Sequence, residues 1–199
     1  MLNVYLLRHG ETAMNADGNR YCGRTNVALT EKGIEQANIV KGQLKEVELD
    51  AVYSSPLIRA SHTAEIACGG KKVIEDERLI EVDFGKWEGK TREEFVAENP
   101  LTWEHWCADP SNVQAGETGE TALEVVQRVS AFFEEIHLLH PNGTIMVVGH
   151  NGLNRLFLSW KLSMELKNYR RLLQENSSIT LFSLDDNNEI LLKLLNCRR

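Results

Sequence analysis

Leu2-Asn-Val-Tyr-Leu-Leu-Arg-His-Gly10 is the stretch on which the predicted fold of this chain depends. The run from Leu2 to Leu7 is apolar, β-prone and too short to span a membrane, so it predicts a strand buried on both faces. It breaks at Arg8-His9-Gly10, where two basic residues meet a glycine that lets the backbone turn. Sites in open α/β sheets form beyond the carboxyl ends of strands. This strand end is therefore a candidate anion site, although a strand that simply stops at a polar surface would look the same.

The composition narrows the class of protein and its partners. With 199 residues, 42% of them hydrophobic, the chain is long enough for one domain with a well-buried core. A net charge of −7 argues against nucleic acid or an anionic membrane as a partner, so an anionic substrate needs a local basic cluster. The four cysteines are widely spaced, which favours reduced thiols and a cytoplasmic protein. Neither an export leader nor an apolar run of about 18 residues is expected.

Capping residues predict where the helices begin. After a loop over residues 11–29, Thr30 is the expected N-cap of a helix with apolar residues every three or four positions. Ser55-Pro56 predicts a second helix with serine as N-cap, which places Arg59 in the first turn, where the helix dipole attracts anions. Two capping boxes, starting at Thr91 and Thr121, predict later helices.

Short apolar runs predict the remaining strands, at residues 50–55, 72–74 and 144–149. Two more runs, 178–184 and 189–194, flank a turn and predict a hairpin at the edge of the sheet. Residues 84–120 hold Trp103, Trp106 and several carboxylates. We interpret them as an excursion that covers the site and not as a second domain.

Two predicted strands that lie far apart in the sequence each end in a histidine beside a glycine, at His9 and His150. If these strands are parallel neighbours, both histidines face the same crevice. Adding Glu81 would allow a His-His-Glu zinc site. Arg8 and Arg59 argue against it, because fixed cations repel a metal ion and suit a phosphoryl group.

Other chemistries find less support. Ser54 and Ser55 lack the Gly-x-Ser-x-Gly elbow of serine hydrolases. Neither a GxxxxGK[ST] nor a GxGxxG loop is present to bind a nucleotide.

Motifs along most of the chain resemble the histidine phosphatase superfamily, also called phosphoglycerate mutase-like proteins. They occur in the family's order: Leu7-Arg-His-Gly-Glu-Thr with Asn15, Gly23, Leu29-Thr-x-x-Gly33-x-x-Gln36-Ala37, Tyr53-Ser-Ser-Pro-Leu-x-Arg59-Ala-x-x-Thr63-Ala, Glu81-x-x-Phe-Gly-x-Trp-Glu-Gly89, Gly119-Glu-Thr and Val147-Val-Gly-His150. The resemblance implies an α/β fold, a three-layer α/β/α sandwich whose central sheet is mostly parallel with an antiparallel edge. Residues 1–199 would then form a single domain.

The resemblance also implies a role for each site residue. His9 would attack phosphorus and become a transient phosphohistidine, with its other ring nitrogen bonded to a backbone carbonyl. Arg8, Arg59 and His150 would hold the phosphoryl oxygens. Glu81 would protonate the leaving oxygen and later take a proton from water.

Further residues are implied as substrate contacts: Asn15 as a neutral donor, with Cys22 and Gly23 in the loop near the site. Asp83 and Glu88 are rivals for the role of Glu81, and only the family pattern favours Glu81. No metal and no cofactor is implied. The expected partner is a small phosphate monoester, and a homodimer is one option for the assembly.

The stretch Glu81-Val-Asp-Phe-Gly distinguishes branches of the family, because cofactor-dependent phosphoglycerate mutases carry Glu-Arg-His-Tyr-Gly there. The version here resembles the phosphatase branch, which includes α-ribazole phosphatases and broad-specificity phosphatases. Our first expectation is an α-ribazole-5'-phosphate phosphatase, with Trp87, Trp103 and Trp106 lining the pocket or packing in the core. The alternatives are a broad-specificity phosphatase, a phosphoglycerate mutase and a non-enzymatic phosphoryl-binding module.

Three positions depart from the family pattern. The family usually has Asp at Asn26 and at Pro56, and often Gln or Lys at His62. His62 is expected either at the rim of the pocket or in solvent. Cys22 would make an enzyme oxidant-sensitive if its thiol were reactive, although an inert thiol is the simpler expectation.

Overall fold

Six strands form one mixed sheet in the computed structural model, which describes residues 1–198. The strands are β1 (Leu2–Arg8), β2 (Ala51–Ser54), β3 (Val73–Glu75), β4 (Thr144–Gly149), β5 (Ile179–Leu184) and β6 (Ile190–Cys197). Their order is β3-β2-β4-β1-β5-β6. The four strands from β3 to β1 are parallel, and the β5–β6 hairpin adds an antiparallel edge. The predicted mostly parallel sheet with an antiparallel edge is confirmed.

The helices connect the strands. They are α1 (Ala13–Ala16), α2 (Glu31–Gln43), α3 (Ile58–Ala67), α4 (Arg92–Glu98), α5 (Pro100–Ala108), α6 (Ala122–Leu139) and α7 (Asn151–Lys161). Short 3-10 turns occur at Glu77–Leu79, Gly85–Trp87, Ala115–Glu117 and Leu166–Arg171. Within residues 1–198, no helix combines the length and the apolar character needed to cross a membrane.

Side chains of β1 and β4 alternate between two hydrophobic clusters, one on each face of the sheet. Leu6 and Val147 join a cluster with residues of α6 and α7, whereas Leu7 and Val148 join a cluster with residues of α2 and α3. Both central strands are therefore buried on both faces, and the molecule has the three α/β/α layers that were expected.

Most of the predicted helix starts are confirmed. Thr30 accepts the Gly33 N–H at 3.1 Å as the N-cap of α2, and the capping boxes at Thr91 and Thr121 begin α4 and α6.

The predicted start of α3 is wrong by two residues. Leu57, not Ser55, is the N-cap, and the hydroxyl of Ser55 accepts the Leu57 N–H at 3.3 Å. The reason is a distant side chain: Asn26 accepts the N–H of Ile58 at 2.8 Å and so supplies the cap from another loop. Arg59 still lies in the first turn. The predicted 11–29 loop also differs, because it contains the single-turn helix α1.

The 84–120 segment packs into the same core as the sheet. Trp87, Phe95 and Trp106 belong to the cluster that contains Leu6, and Trp103 packs against it from a half-buried position. Two of the three tryptophans considered as pocket residues therefore serve the core.

We expect Phe133→Ala to lower the free energy of unfolding by about 3–5 kcal/mol, because it opens a cavity in a fully buried aromatic stack. The Phe133 ring centroid lies 4.4 Å from that of Phe157. Urea denaturation monitored by circular dichroism measures the change. Leu138→Ala, on the same helix but exposed, is the control and should stay near wild type; equal losses in both variants would contradict the packing described.

Candidate active site

The parallel pairing of β1 with β4 brings the two histidines together. Arg8 pairs with Gly149 in the register, so each strand releases its histidine at the same level. The His9 N–H donates to the carbonyl of Gly149 at 3.1 Å, and the ring centroids of His9 and His150 lie 5.2 Å apart. Both rings are buried. The crevice predicted from the two strand ends is therefore present.

His9 is held as a neutral imidazole of defined tautomer. Its Nδ1–H donates to the carbonyl of Gly10 at 2.7 Å, and since a carbonyl can only accept, the lone pair lies on Nε2. Burial, followed by the charges of Arg59 and Arg8, lowers the pKa of His9 well below its ordinary value. A neutral Nε2 beside fixed cations is suited to attack an electrophile that carries negative charge.

Two polar contacts fix the backbone on either side of this ring. The Gly10 N–H donates to the hydroxyl of Thr63 at 3.0 Å, and that hydroxyl donates to the carbonyl of Arg59 at 2.6 Å. On the other side, Asn176 Nδ2 donates to the carbonyl of His9 at 3.1 Å. The His9 main chain is thus tied to α3 and to the segment before β5.

The two arginines occupy different places. Arg8 lines the cavity and donates from Nη1 to the carbonyl of Gln174 at 2.9 Å; burial lowers its pKa to about 10, so it remains cationic at neutral pH. Arg59 lies behind the cavity wall and donates to the carbonyls of Cys22, Gly23 and Thr25 at 2.8–3.0 Å. Burial lowers the pKa of Arg59, and its Nε has no partner among residues 1–198.

Glu81 is a buried carboxylate that lines the cavity at the N-terminus of α7. Oε1 accepts the N–H groups of Val82 and Leu153 at 3.0 and 2.8 Å, and Oε2 accepts the Gly152 N–H at 3.0 Å. A Cβ on Gly152 would lie 2.9 Å from Oε1, so glycine is needed for this close approach. These hydrogen bonds orient the carboxylate, and its negative charge interacts favourably with the positive end of the α7 dipole.

The rivals of Glu81 have other functions. Asp83 Oδ1 accepts the Gly85 N–H at 2.9 Å, and the Glu88 carboxylate accepts N–H groups of Gly23 and Thr25 at 2.9–3.0 Å. Neither carboxylate lines the cavity.

His150 has no hydrogen-bond partner for either ring nitrogen among residues 1–198. Burial, followed by the charge of Arg59, lowers the pKa of His150 well below its ordinary value. A buried ring without a protein partner is available to bind a phosphoryl oxygen.

The cavity in front of His9 has a volume of about 410 Å³. Of the predicted contacts, Asn15 and Cys22 line it, whereas Gly23 lies outside the lining, between Glu88 and Arg59. Burial raises the pKa of the Cys22 thiol, which favours the inert form. No three His, Cys, Asp or Glu side chains in the described part of the chain are arranged to hold a metal ion.

Comparison with known proteins places this geometry in a family. The sequence profile of the Histidine phosphatase superfamily (branch 1) matches residues 4–197. The chain belongs to the histidine phosphatase superfamily.

Two curated members of this superfamily are similar to the chain. Phosphoserine phosphatase 1 of Hydrogenobacter thermophilus is 34% identical over 98% of this chain and 92% of its own length. Adenosylcobalamin/alpha-ribazole phosphatase of Salmonella typhimurium is 32% identical over 82% of this chain and 81% of its own. Together with the family match, these names identify the chain as a phosphoric monoester hydrolase.

A solved structure of this superfamily matches the fold over the whole chain. It is a phosphoserine phosphatase mutant from Entamoeba histolytica in complex with phosphoserine, with a TM-score of 0.91 and 30% identity. The match covers 100% of this chain and 98% of that one. The phosphoglycerate mutase-like architecture expected from the motifs is confirmed.

Sequence reasoning missed several residues around the site of this histidine phosphatase. Thr63 stands in a family motif, but its contact with Gly10 was not predicted, and Asn176 stands in no motif. The cavity lining also includes residues that no motif indicated: Tyr21, Arg92, Arg155, Tyr169 and Arg170. In the sequence, the one indication of the Asn176 contact was the polar stretch 174–178, which lies before the hairpin and has no periodicity. His62, half-buried on α3, does not line the cavity.

We expect Thr63→Val to lower kcat by about tenfold or more, because the Gly10 N–H loses its acceptor and the carbonyl that orients His9 shifts. Thr63→Ser keeps a hydroxyl and is the matched control, with kcat near wild type. Steady-state kinetics on p-nitrophenyl phosphate measures both. Equal activity of the valine and serine variants would contradict the positioning role.

We also expect the free energy of unfolding to fall as pH decreases below about 6.5. The unfolded chain protonates His9 and His150 near that pH, whereas the folded protein, with both pKa values lowered, keeps them neutral. Each such proton contributes about 1.4 kcal/mol per pH unit. Urea unfolding at pH 5, 6 and 7.5 tests this, and His150→Gln should reduce the slope; an unchanged slope would contradict it.

Proposed function

We propose that this protein is a metal-independent phosphomonoesterase that acts through a phosphohistidine on His9. The observation that supports this best is the neutral His9 ring, which presents Nε2 as a nucleophile next to buried cations. Glu81 lines the same cavity as a potential proton donor. The roles assigned below are parts of this proposal.

In the first step, Nε2 of His9 attacks phosphorus while the bond to the ester oxygen breaks. Glu81, in its protonated form, transfers its proton to the leaving oxygen, so that an alcohol departs. Arg8 and the ring of His150 bind the non-bridging oxygens, with Asn15 as a neutral donor, and Arg59 contributes its positive charge and the Nε that has no partner among residues 1–198. Fixed positive charge of this kind stabilises the transition state of phosphoryl transfer, where charge spreads over these oxygens.

In the second step, water attacks the phosphorus of phosphohistidine. Glu81, now a carboxylate, takes a proton from this water, and the bond between phosphorus and Nε2 breaks. The products are inorganic phosphate and the neutral ring of His9. Because the Gly10 carbonyl holds the proton on Nδ1 throughout, the same tautomer is ready for the next cycle.

A binding module without catalysis is the second class of function. Its recognition of phosphate would need neither the Nε2 nucleophile nor Glu81, so their placement in one cavity favours the enzyme.

We also propose that residues 84–120 cover the site of a single domain, since Phe84, Arg92 and Glu93 of this segment line the cavity. Gly23 would contribute indirectly, through its carbonyl contact with Arg59.

The substrate proposed from the motifs is α-ribazole-5'-phosphate, and the Salmonella relative carries that name. Trp87, Trp103 and Trp106 do not line the cavity, so the tryptophan contacts on which this substrate was first proposed are not available. The Hydrogenobacter relative, which matches more of the chain, is named for phosphoserine. Both esters therefore belong in the first assay, beside 3-phosphoglycerate with its bisphosphate primer as the test for a mutase.

We expect His9→Ala to lose about 10³-fold or more of kcat on p-nitrophenyl phosphate, because the nucleophile is removed. The assay contains EDTA, in which the wild type should remain active. His105→Ala, an exposed histidine on α5, is the matched control. Wild-type inactivity in EDTA, or full activity of His9→Ala, would overturn the mechanism; binding of phosphate without turnover would favour the binding module.

For Glu81→Gln we expect kcat to fall by about 10²–10⁴-fold. p-Nitrophenolate leaves without a proton, so the variant should still form phosphohistidine and release one equivalent of product before stopping. Rapid-quench kinetics detects this burst and the acid-labile phosphoprotein. Glu104→Gln, an exposed carboxylate on α5, is the control; steady turnover of Glu81→Gln at the wild-type rate would exclude the proton-transfer role.

A further inference from the structure

Two arginines of the cavity flank a single tyrosine ring. The guanidinium carbons of Arg155 and Arg170 lie 5.1 and 5.2 Å from the ring centroid of Tyr169. All three residues line the cavity that contains His9 and Arg8. The phosphoryl chemistry described above uses neither arginine.

Neither guanidinium has a carboxylate of residues 1–198 within 4 Å. The other outer arginines of the cavity do: Arg20 lies 2.7 Å from Asp17 and from Glu94, and Arg92 lies 3.1 Å from Glu93. Two cations on one ring repel each other, and an anion between or beside them offsets this repulsion. Apart from Arg8 at the phosphoryl end, Arg155 and Arg170 are therefore the arginines of this cavity that have no carboxylate partner among residues 1–198.

Both side chains are held in place before any ligand binds. Arg155 lies one turn after Asn151 on α7, and its Nε donates to the Asn151 carbonyl at 3.2 Å. Arg170 also stacks on Trp103, with 4.7 Å between the guanidinium carbon and the ring centroid. Stacking on aromatic faces restricts a guanidinium without using its hydrogen-bond donors.

The donors that remain fit a small planar anion. Arg155 uses Nε on the main chain, and Arg170 uses Nη2 on the sulfur of Cys107 at 3.0 Å. Nη1 of Arg170 is buried and has no partner among residues 1–198. The remaining nitrogens match the two oxygens of a carboxylate, the anion that arginine binds with defined geometry.

We propose that Arg155 and Arg170, stacked on Tyr169, form a subsite for a carboxylate on the organic part of the substrate. This inference rests on the proposed function, because the phosphoryl group must occupy the His9 end of the same cavity. It assigns the enzyme to small acidic phosphate monoesters. α-Ribazole phosphate carries no carboxylate and would leave the subsite unused.

The test compares two esters that differ by one carboxylate, O-phosphoserine and O-phosphoethanolamine. We expect wild-type kcat/KM to be about 10- to 100-fold higher for O-phosphoserine, as for a hydrogen-bonded charge pair, and mainly through KM. Arg155→Met and Arg170→Met keep an apolar stem but remove the charge, so each should bring this ratio close to one. Arg171→Met, at an exposed arginine next to Arg170 that does not line the cavity, is the matched control and should keep the wild-type ratio.

Each outcome addresses either the subsite or the mechanism. Hydrolysis of p-nitrophenyl phosphate that depends on His9 reports the proposed function by itself. If that activity is present and the two esters react equally, or α-ribazole phosphate reacts better than O-phosphoserine, the carboxylate subsite is overturned while the mechanism stands. Because the ratio is measured within each variant, a partial loss of folded protein does not affect it; if Arg170→Met does not fold, Arg155→Met decides.

Discussion

The parallel hydrogen bonding between β1 and β4 is the constraint on which the active site depends. It fixes Arg8 opposite Gly149, so that His9 and His150 leave the sheet at one level and their rings meet. A shift of the register by one residue would exchange the two faces of β1 and move its apolar side chains into the wrong cluster. The same burial that stabilises the sheet therefore also determines the distance between the two histidines.

Burial sets the protonation states that the proposed chemistry requires. Burial is the largest of the influences that lower the pKa of His9 and of His150, and the nearby arginine charges lower both further. Both rings are therefore neutral. The arginines stay cationic and donate hydrogen bonds to main-chain carbonyls, as Arg59 does to Cys22, Gly23 and Thr25. Within a chain whose net charge is −7, these arginines form a local positive centre that attracts an anionic ester.

The sequence predicted well those features that depend on neighbouring residues. It predicted poorly the contacts that join segments far apart in the chain. Strand ends, capping boxes and the family motifs predicted the sheet, the helix starts at Thr30 and Thr121, and the meeting of His9 with His150. The start of α3 was misplaced because its cap comes from Asn26, 32 residues away. Asn176 reaches His9 across 167 residues, and Arg155 and Arg170 meet only on Tyr169, so no spacing could indicate them.

The tryptophans of the 84–120 segment give the molecule an intrinsic optical signal. Three of the four tryptophans lie there, and the Trp87 ring contacts both Trp103 and Trp106 with centroids 5.6 and 5.9 Å apart. Trp160 is exposed on α7, so we expect it to emit as a solvated indole and the buried Trp87 and Trp106 to emit differently. Trp103 touches Arg170, which forms part of the cavity wall. Ligand occupancy at that wall can therefore be followed by unlabelled fluorescence, independently of turnover.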